Sequence, residues 1–385
     1  MREAVIVEAV RTPLGRRNGW LRDTHPVRLG SDVLCEALAR ANLDPIHLDH
    51  VIMGCVSQAG EQTFNVARST VLDAGLPITI PATSIDFQCG SSQQAVHLAA
   101  AMVGSGQVDV VLAGGVESMS RVPMGASMMG QQPFTERMME AYNLVPQGIS
   151  SDEIAQKWGI SREEVDRIGY ESHMRAAKAT QEGWLKREIL PLPGVDDEGK
   201  PVTADRDQGI RPGASLEKMA TLNAVFTDGG VTTAGNSSQI TDGAAAVLVT
   251  TREKAAELGL KVRARIVATV TVGSDPHLML TGPIEATRKV LKRAGMTVED
   301  IDLFEVNEAF ASVIAMWQRE IGADMAKVNV HGGAIALGHP LGASGARLMT
   351  TLLHALETHD KRFGLQTMCC GGGMATGTII ERVTA

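Results

Sequence analysis

An internal repeat constrains the fold of this 385-residue chain more than any other feature of its sequence. Residues 34–55 align without gaps on residues 287–308, and apolar residues fill matching positions in the two copies. Each copy predicts an amphipathic helix, a turn and a short apolar strand. A second unit also recurs, because a glycine-containing turn, an apolar helix and a strand follow residue 89 and again residue 339. The repeat therefore predicts two similar α/β halves that pack together.

A stretch of different character interrupts the first half. It begins with a methionine-rich segment, and a Ser-x-x-Glu capping pattern then predicts a helix over 161–182. An apolar run from residue 242 indicates that the first half resumes there. The expected domains are an N-terminal half at 1–117 plus 241–262, an inserted loop domain at 118–240, and a C-terminal half at 263–385.

Composition and charge narrow the class of protein. The net charge is −8 with dispersed acidic residues, so we expect no nucleic-acid partner. No run of about 18 apolar residues occurs, and the first eight residues predict a strand rather than a signal peptide, so we expect no membrane association. Five cysteines, an odd number without disulfide-framework spacing, favour a reducing, cytoplasmic location.

Candidate reactive side chains lie on turns rich in glycine. Cys89 lies between a predicted strand and a predicted helix, where the positive helix end would lower its pKa below the free value of about 8.5. His339, between glycine and proline, could deprotonate a thiol. Each residue also has a simpler explanation, because cysteines are often buried and inert and a single histidine is often structural.

Two further segments offer polar groups at the ends of predicted strands. Cys369 precedes three glycines whose amides could stabilise an oxyanion, whereas the side chain of Cys370 should point the other way along the strand. We therefore expect one of these two cysteines to act, not both. Asn307 could hold a water or a substrate oxygen, and Glu308 could do no more than complement a helix dipole.

These segments, in this order, resemble the motifs of the thiolase family: Cys-x-Ser at 89–91, Asn-Glu-Ala-Phe at 307–310, Gly-His-Pro at 338–340 and Cys-x-Gly at 369–371. The resemblance covers essentially the whole chain. It implies an α/β thiolase fold, in which two duplicated halves form a layered αβαβα sandwich and the inserted loop domain covers coenzyme A and the acyl group.

The resemblance also implies roles for individual residues. Cys89 would accept the acyl group, and His339 would activate it. A water held by Asn307 would form one oxyanion hole with His339, and the backbone amides of Cys89 and Gly371 would form the second. Cys369 would act as the acid and base at the α-carbon.

The resemblance extends to ligands and assembly. Arg211 and Ser238 fall where the family contacts coenzyme A. We expect coenzyme A and acyl-CoA as substrates, no metal, no tightly bound cofactor, and a homodimer or homotetramer. Cys370 stands where many thiolases have a small or aliphatic residue, and the alignment of the Thr-Met-Cys segment favours Cys369 as the acid-base thiol.

The implied reaction is cleavage of 3-oxoacyl-CoA by coenzyme A, giving acetyl-CoA and a shortened acyl-CoA through a covalent thioester. Segments 17–21, 87–95 and 205–212 look similar to actinobacterial thiolases of fatty-acid and steroid degradation. Alternatives are a biosynthetic acetyl-CoA acetyltransferase, a non-catalytic thiolase-like lipid-binding protein and a 3-ketoacyl-ACP synthase-like enzyme. A zinc site formed by Cys89, His339, Cys369 and Cys370 is a further alternative, although their spacing does not favour it.

Overall fold

One mixed sheet of ten strands organises residues 2–384, the part of the chain that the computed structural model describes. The strands of this region are β1 Ala4–Arg11, β2 Gly15–Arg16, β3 His50–Gly54, β4 Ala82–Ile85, β5 Val110–Ser118, β6 Leu192–Val195, β7 Pro201–Ala204, β8 Thr241–Thr251, β9 Ala264–Gly273, β10 Leu303–Val306, β11 Phe363–Cys370 and β12 Met374–Arg382. Strands β6 and β7 form a separate hairpin.

Eleven α-helices accompany these strands in the same region. They are α1 Pro26–Ala41, α2 Val66–Asp73, α3 Ser91–Ser105, α4 Glu136–Tyr142, α5 Gln147–Trp158, α6 Arg162–Gln181, α7 Leu216–Ala220, α8 Arg252–Glu257, α9 Gly282–Ala294, α10 Ala311–Ile321 and α11 Ser344–Thr358. Within residues 2–384, none of them is both long and apolar enough to cross a lipid bilayer.

The order of the strands reflects the repeat. The sheet runs β10-β11-β12-β9-β1-β8-β5-β3-β4, and strands from the two halves meet where β9 pairs with β1. That junction is short, with pairs Val5–Arg265 and Ile6–Ala264. Units α1–β3 and α9–β10 correspond, as do α3–β5 and α11–β11. The prediction of two similar α/β halves is therefore confirmed.

Helices α3 and α11 pack against each other and form the centre of the molecule. The sheet continues around them, so that α3 packs on β3 and β5, while α11 packs on strands of both halves. Residues 344–356 of α11 are all buried. Helix α1 covers the outer face of one half and α9 that of the other. These layers form the expected αβαβα sandwich.

The chain between β5 and β8 holds α4 to α7 and the β6–β7 hairpin, which pairs only with itself. The helix predicted over 161–182 is present as α6, and Ser161 caps it by accepting a hydrogen bond from the backbone N–H of Glu164. The domain boundaries at 118, 240 and 263 stay predictions.

Candidate active site

Cys89 lies in a tight turn between β4 and α3. Gln88 has a positive φ of 50°, a left-handed conformation that side chains other than glycine adopt at some cost. The Ser91 hydroxyl stabilises the turn, because it accepts from the N–H of Phe87 at 2.9 Å and donates to the carbonyl of Gln88 at 2.6 Å. The sequence therefore folds into a strand, a strained turn and a helix around this thiol.

The sulfur of Cys89 is buried, and the backbone N–H groups of Gly371 and of Cys89 itself lie close enough to favour its thiolate. Burial raises the pKa of this thiol to about 11, against the lowering effect of the two amides. The expectation of a pKa below the free value is thus wrong, because removing water from a thiolate costs more than these amides return. Cys89 is a neutral thiol at pH 7.

The backbone around His339 is held by Gln239 and by Thr241, the first residue of β8. Gly338 has a φ of 119°, and a Cβ there would stand 2.4 Å from the Thr241 hydroxyl, so the position requires glycine. The N–H of His339 donates to the Gln239 carbonyl and the Thr241 hydroxyl, each at 3.1 Å. These contacts fix where the imidazole enters the site.

A serine that the sequence reading missed sets the tautomer of His339. The Ser344 hydroxyl donates its single hydrogen to the Pro340 carbonyl at 2.7 Å, so it accepts from Nδ1–H of His339. Nε2 therefore carries a lone pair and no hydrogen. Burial, followed by the positive charge of Arg347, lowers the pKa of His339 to about 3. The imidazole is neutral and can accept a proton at Nε2.

Asn307 lies beside this imidazole. Its Nδ2 is 3.4 Å from His339 Nε2, and its backbone N–H donates to the Thr367 carbonyl of β11 at 3.1 Å. Its Oδ1 is buried and has no hydrogen-bond partner within residues 2–384. A buried amide oxygen of this kind needs a donor, so the position suits a water or a substrate group.

Cys369 and Cys370 both lie close enough to Cys89 for the charge of its thiolate to raise their pKa values, although burial is the larger cause for each. Their side chains alternate as the strand pattern predicts. Cys369 packs in a cluster with Phe310, whereas Cys370 packs with Cys89 and lies against Gly90. Cys370 therefore also lies in the candidate site, although its side chain points away from that of Cys369.

Buried polar contacts join the loops that carry these groups. The N–H of Ala346 donates to the Ser92 hydroxyl at 2.8 Å, which connects the first turns of α11 and α3. Glu117, at the end of β5, accepts from the N–H groups of Val56, Ser57 and Gly342 at 2.8 to 3.0 Å. Sequence reasoning missed Glu117, although a carboxylate that ends an apolar strand was a usable signal.

Glu308 does not cap a helix, since α10 begins at Ala311 and has no side-chain cap. Its carboxylate accepts from the Ser172 hydroxyl at 2.7 Å, from Asn329 Nδ2 at 3.0 Å and from the N–H of Ile335 at 3.1 Å. Glu308 therefore fastens helix α6 to the segment that leads to His339.

Ser238 and Arg211, the two residues expected to contact coenzyme A, lie in different surroundings. The N–H of Ser238 donates to the Ala309 carbonyl at 3.0 Å, which places Ser238 beside the Asn307 segment. Arg211 is exposed, and its backbone N–H donates to His173 Nδ1 at 3.2 Å. Ser238 thus lies beside the segment that carries Asn307, and Arg211 lies at the surface of the inserted segment.

The zinc alternative has no support in the geometry. Across residues 2–384, no group of three or more His, Cys, Asp or Glu side chains has an arrangement that could hold a metal ion.

Two packed α/β halves, with a thiol and an imidazole where their helices meet, define a thiolase-type protein. Comparison with known families agrees: the thiolase N-terminal domain matches residues 4–253 and the thiolase C-terminal domain matches residues 260–382. The chain therefore belongs to the thiolase family.

Individual relatives cover the chain from end to end. It is 47% identical to a steroid 3-ketoacyl-CoA thiolase of Mycobacterium tuberculosis, over 100% of this chain and 95% of that protein. It is 44% identical to a 3-ketoacyl-CoA thiolase of Saccharophagus degradans, over 99% of each. Among solved structures it resembles the acetyl-CoA acetyltransferase of Bacillus anthracis, with a TM-score of 0.91 and 35% identity over 100% of this chain and 99% of that one.

Proposed function

We propose that this thiolase is an acetyl-CoA C-acyltransferase that cleaves 3-oxoacyl-CoA with coenzyme A, giving acetyl-CoA and an acyl-CoA two carbons shorter. The observation that carries the proposal is the approach of the Gly371 amide to the Cys89 sulfur, which brings the turn after β11 in the C-terminal half to the thiol of the N-terminal half. It joins a nucleophilic thiol to an oxyanion donor. The names of the relatives support the degradative direction.

The first half-reaction begins with two neutral groups. Cys89 transfers its proton to His339 Nε2 as its sulfur attacks the 3-keto carbon. The amides of Cys89 and Gly371 donate to the 3-keto oxygen as it becomes negative, and the new Nε2–H, with a water on Asn307, then donates to the oxygen of the leaving enolate. The bond between C2 and C3 breaks, acetyl-CoA leaves as an enolate, and Cys369 supplies the proton to its α-carbon. Cys89 now carries the acyl group, and Cys369 is a thiolate.

The second half-reaction regenerates both thiols. Cys369 takes the proton of the coenzyme A thiol, and the resulting thiolate attacks the acyl group on Cys89. The amides of Cys89 and Gly371 stabilise the thioester oxygen as it becomes negative. Cys89 leaves as a thiolate and recovers its proton from His339. A covalent intermediate of this kind requires ping-pong kinetics.

Biosynthetic condensation of two acetyl-CoA molecules is the second candidate, favoured by the similarity to an acetyl-CoA acetyltransferase. Chain length separates the two. A degradative enzyme should cleave 3-oxoacyl-CoA substrates longer than acetoacetyl-CoA, whereas a biosynthetic enzyme should be confined to the four-carbon substrate.

The test is a thiolysis assay that follows acetyl-CoA formation from 3-oxoacyl-CoA and coenzyme A. Wild type should turn over, and Cys89→Ala should lose activity by at least about 10⁴-fold, since a nucleophile has been removed. Equal activity of the variant would refute the proposal. A wild type that binds acyl-CoA without cleaving it would revive the lipid-binding alternative.

Arg211 and Ser238 are proposed to contact coenzyme A, with no tightly bound cofactor.

We infer a homodimer or homotetramer, because β4 is an edge strand of the sheet, with β3 as its one neighbour among residues 2–384, and Phe64 nearby is 95% exposed. Light scattering on the purified protein tests the oligomeric state, and a monomer would contradict the inference.

Five free cysteines support a cytoplasmic location.

A further inference from the structure

Two glutamine amides flank Gly371 next to the nucleophile. Gln88 Oε1 and Gln147 Nε2 lie 3.1 Å and 3.2 Å from the point where a Cβ on Gly371 would stand. The backbone N–H of this same glycine lies close to the Cys89 sulfur and favours its thiolate. An acyl chain that leaves the sulfur along this side of Gly371 therefore passes within hydrogen-bonding reach of both amides.

The two amides present an acceptor and a donor to the space beside Gly371. Gln88 Nε2 donates to both oxygens of Asp86, at 3.2 Å and 3.3 Å. Because a carboxylate only accepts, the nitrogen must face Asp86, and Oε1 remains as a free acceptor. Gln147 is the first residue of α5, whose cap supplies no side-chain hydrogen bond. Gln147 Nε2, which faces Gly371, is a donor near the positive end of this helix.

Neither Gln88 Oε1 nor Gln147 Nε2 has a hydrogen-bond partner in the protein among residues 2–384, and both side chains are half-buried. In the free enzyme, solvent can satisfy them. A hydrocarbon chain lying over them would displace that solvent and offer nothing in return, which disfavours a plain alkyl substrate. A hydroxyl group can both accept from Gln147 and donate to Gln88.

We propose that Gln88 and Gln147 select 3-oxoacyl-CoA substrates whose acyl chain carries an oxygen functional group, foremost a hydroxyl, beyond the reacting carbons. The inference rests on the proposed thiolase function and specifies its substrate class. Two amides left without partners correspond to a discrimination of roughly 10- to 100-fold against the alkyl analogue.

The experiment compares kcat/KM for pairs of 3-oxoacyl-CoA substrates of equal carbon number, with and without a chain hydroxyl, the hydroxyl being moved one carbon at a time. Wild type should prefer the hydroxylated member at one position by at least about tenfold. Gln88→Met and Gln147→Met should each bring the ratio close to one. A ketone, which only accepts, should depend on Gln147 and not on Gln88.

The control is Gln156→Met, a change of the same chemistry at an exposed position of α5. It should keep the wild-type ratio. Methionine at residue 88 adds no backbone strain, because it is unbranched like glutamine, and thermal melting checks that each variant is folded. Ratios near one for wild type at every position, or ratios that both methionine variants preserve, would overturn the inference.

Acetoacetyl-CoA separates this inference from the proposed function. Its chain ends too close to the reacting carbons to reach the two amides. If wild type cleaves acetoacetyl-CoA but does not distinguish the longer pairs, the specificity inference fails and the thiolase activity stands. If wild type cleaves none of these substrates, the proposed function itself fails.

Discussion

The backbone N–H of Gly371 lies close to the sulfur of Cys89, and the fold of the two halves creates this contact between distant parts of the chain. The amide does not make Cys89 a thiolate, because burial keeps its pKa at about 11. The amide of Gly371 stabilises the site more during the reaction, when negative charge develops on the oxygen next to the sulfur.

The raised pKa predicts how Cys89 reacts with iodoacetamide. Only the thiolate is alkylated, and a folded-state pKa near 11 means that its fraction rises about tenfold per pH unit through the range below that value. The alkylation rate of the Cys89 peptide, followed by mass spectrometry, should therefore still be climbing at pH 10. Exposed Cys35 reports the rate of the reagent in the same digest. A plateau below pH 8 would show that the thiol is activated in the resting enzyme.

Ser344 should behave as a positioning residue for His339. Replacing Ser344 by alanine removes the acceptor for Nδ1–H, so the imidazole loses its fixed tautomer. We expect kcat to fall about 10- to 1000-fold with little change in KM. Thr350→Val is the matched control, because it removes another buried hydroxyl of α11, one that donates to the Ala346 carbonyl at 2.8 Å. Equal losses in both variants would mean a general effect on α11.

Replacing Cys369 and Cys370 one at a time should show that the two adjacent cysteines have different functions. Cys369→Ala should still take an acetyl group from acetyl-CoA onto Cys89 and lose carbon–carbon cleavage by at least about 10²-fold, since acid-base catalysis at the α-carbon is gone. Cys370→Ala should keep both steps and lose stability, because its sulfur fills the space beside Gly90. The opposite result, with cleavage lost only in Cys370→Ala, would exchange the two assignments.

Much of this site was predictable because its chemistry is encoded locally. The repeat predicted the two halves, and short motifs placed Cys89, His339 and Asn307 on turns that the fold brings together. Strand alternation predicted opposite directions for the side chains of Cys369 and Cys370, which the structure confirms.

The remaining features depend on contacts between distant segments. The raised pKa of Cys89 follows from complete burial, which a local helix-dipole argument does not include. Ser344 acts through its orientation toward Pro340, and Gln147 reaches Gly371 only because α5 packs there. The short pairing of β1 with β9, which joins the two halves, likewise cannot be predicted from the sequence of either strand alone.

Glu117 should be important for stability. It accepts three backbone N–H groups and Gln62 Nε2 in a buried position, so Glu117→Gln places an amide nitrogen against donors. We expect a loss of about 2–4 kcal/mol in the free energy of unfolding, measured by denaturant titration. Glu198→Gln, an exposed change, should have little effect. A loss below about 0.5 kcal/mol in Glu117→Gln would contradict the structural role given to this carboxylate.

The most direct measurement identifies the sulfur that holds the acyl group. Wild type is mixed with 3-oxoacyl-CoA in the absence of coenzyme A, quenched in acid and digested, and the acylated peptide is sequenced by mass spectrometry. The account predicts one shortened acyl group on Cys89, released as acyl-CoA when coenzyme A is added. An acyl group on Cys369 or Cys370, or turnover without any acylated cysteine, would contradict it.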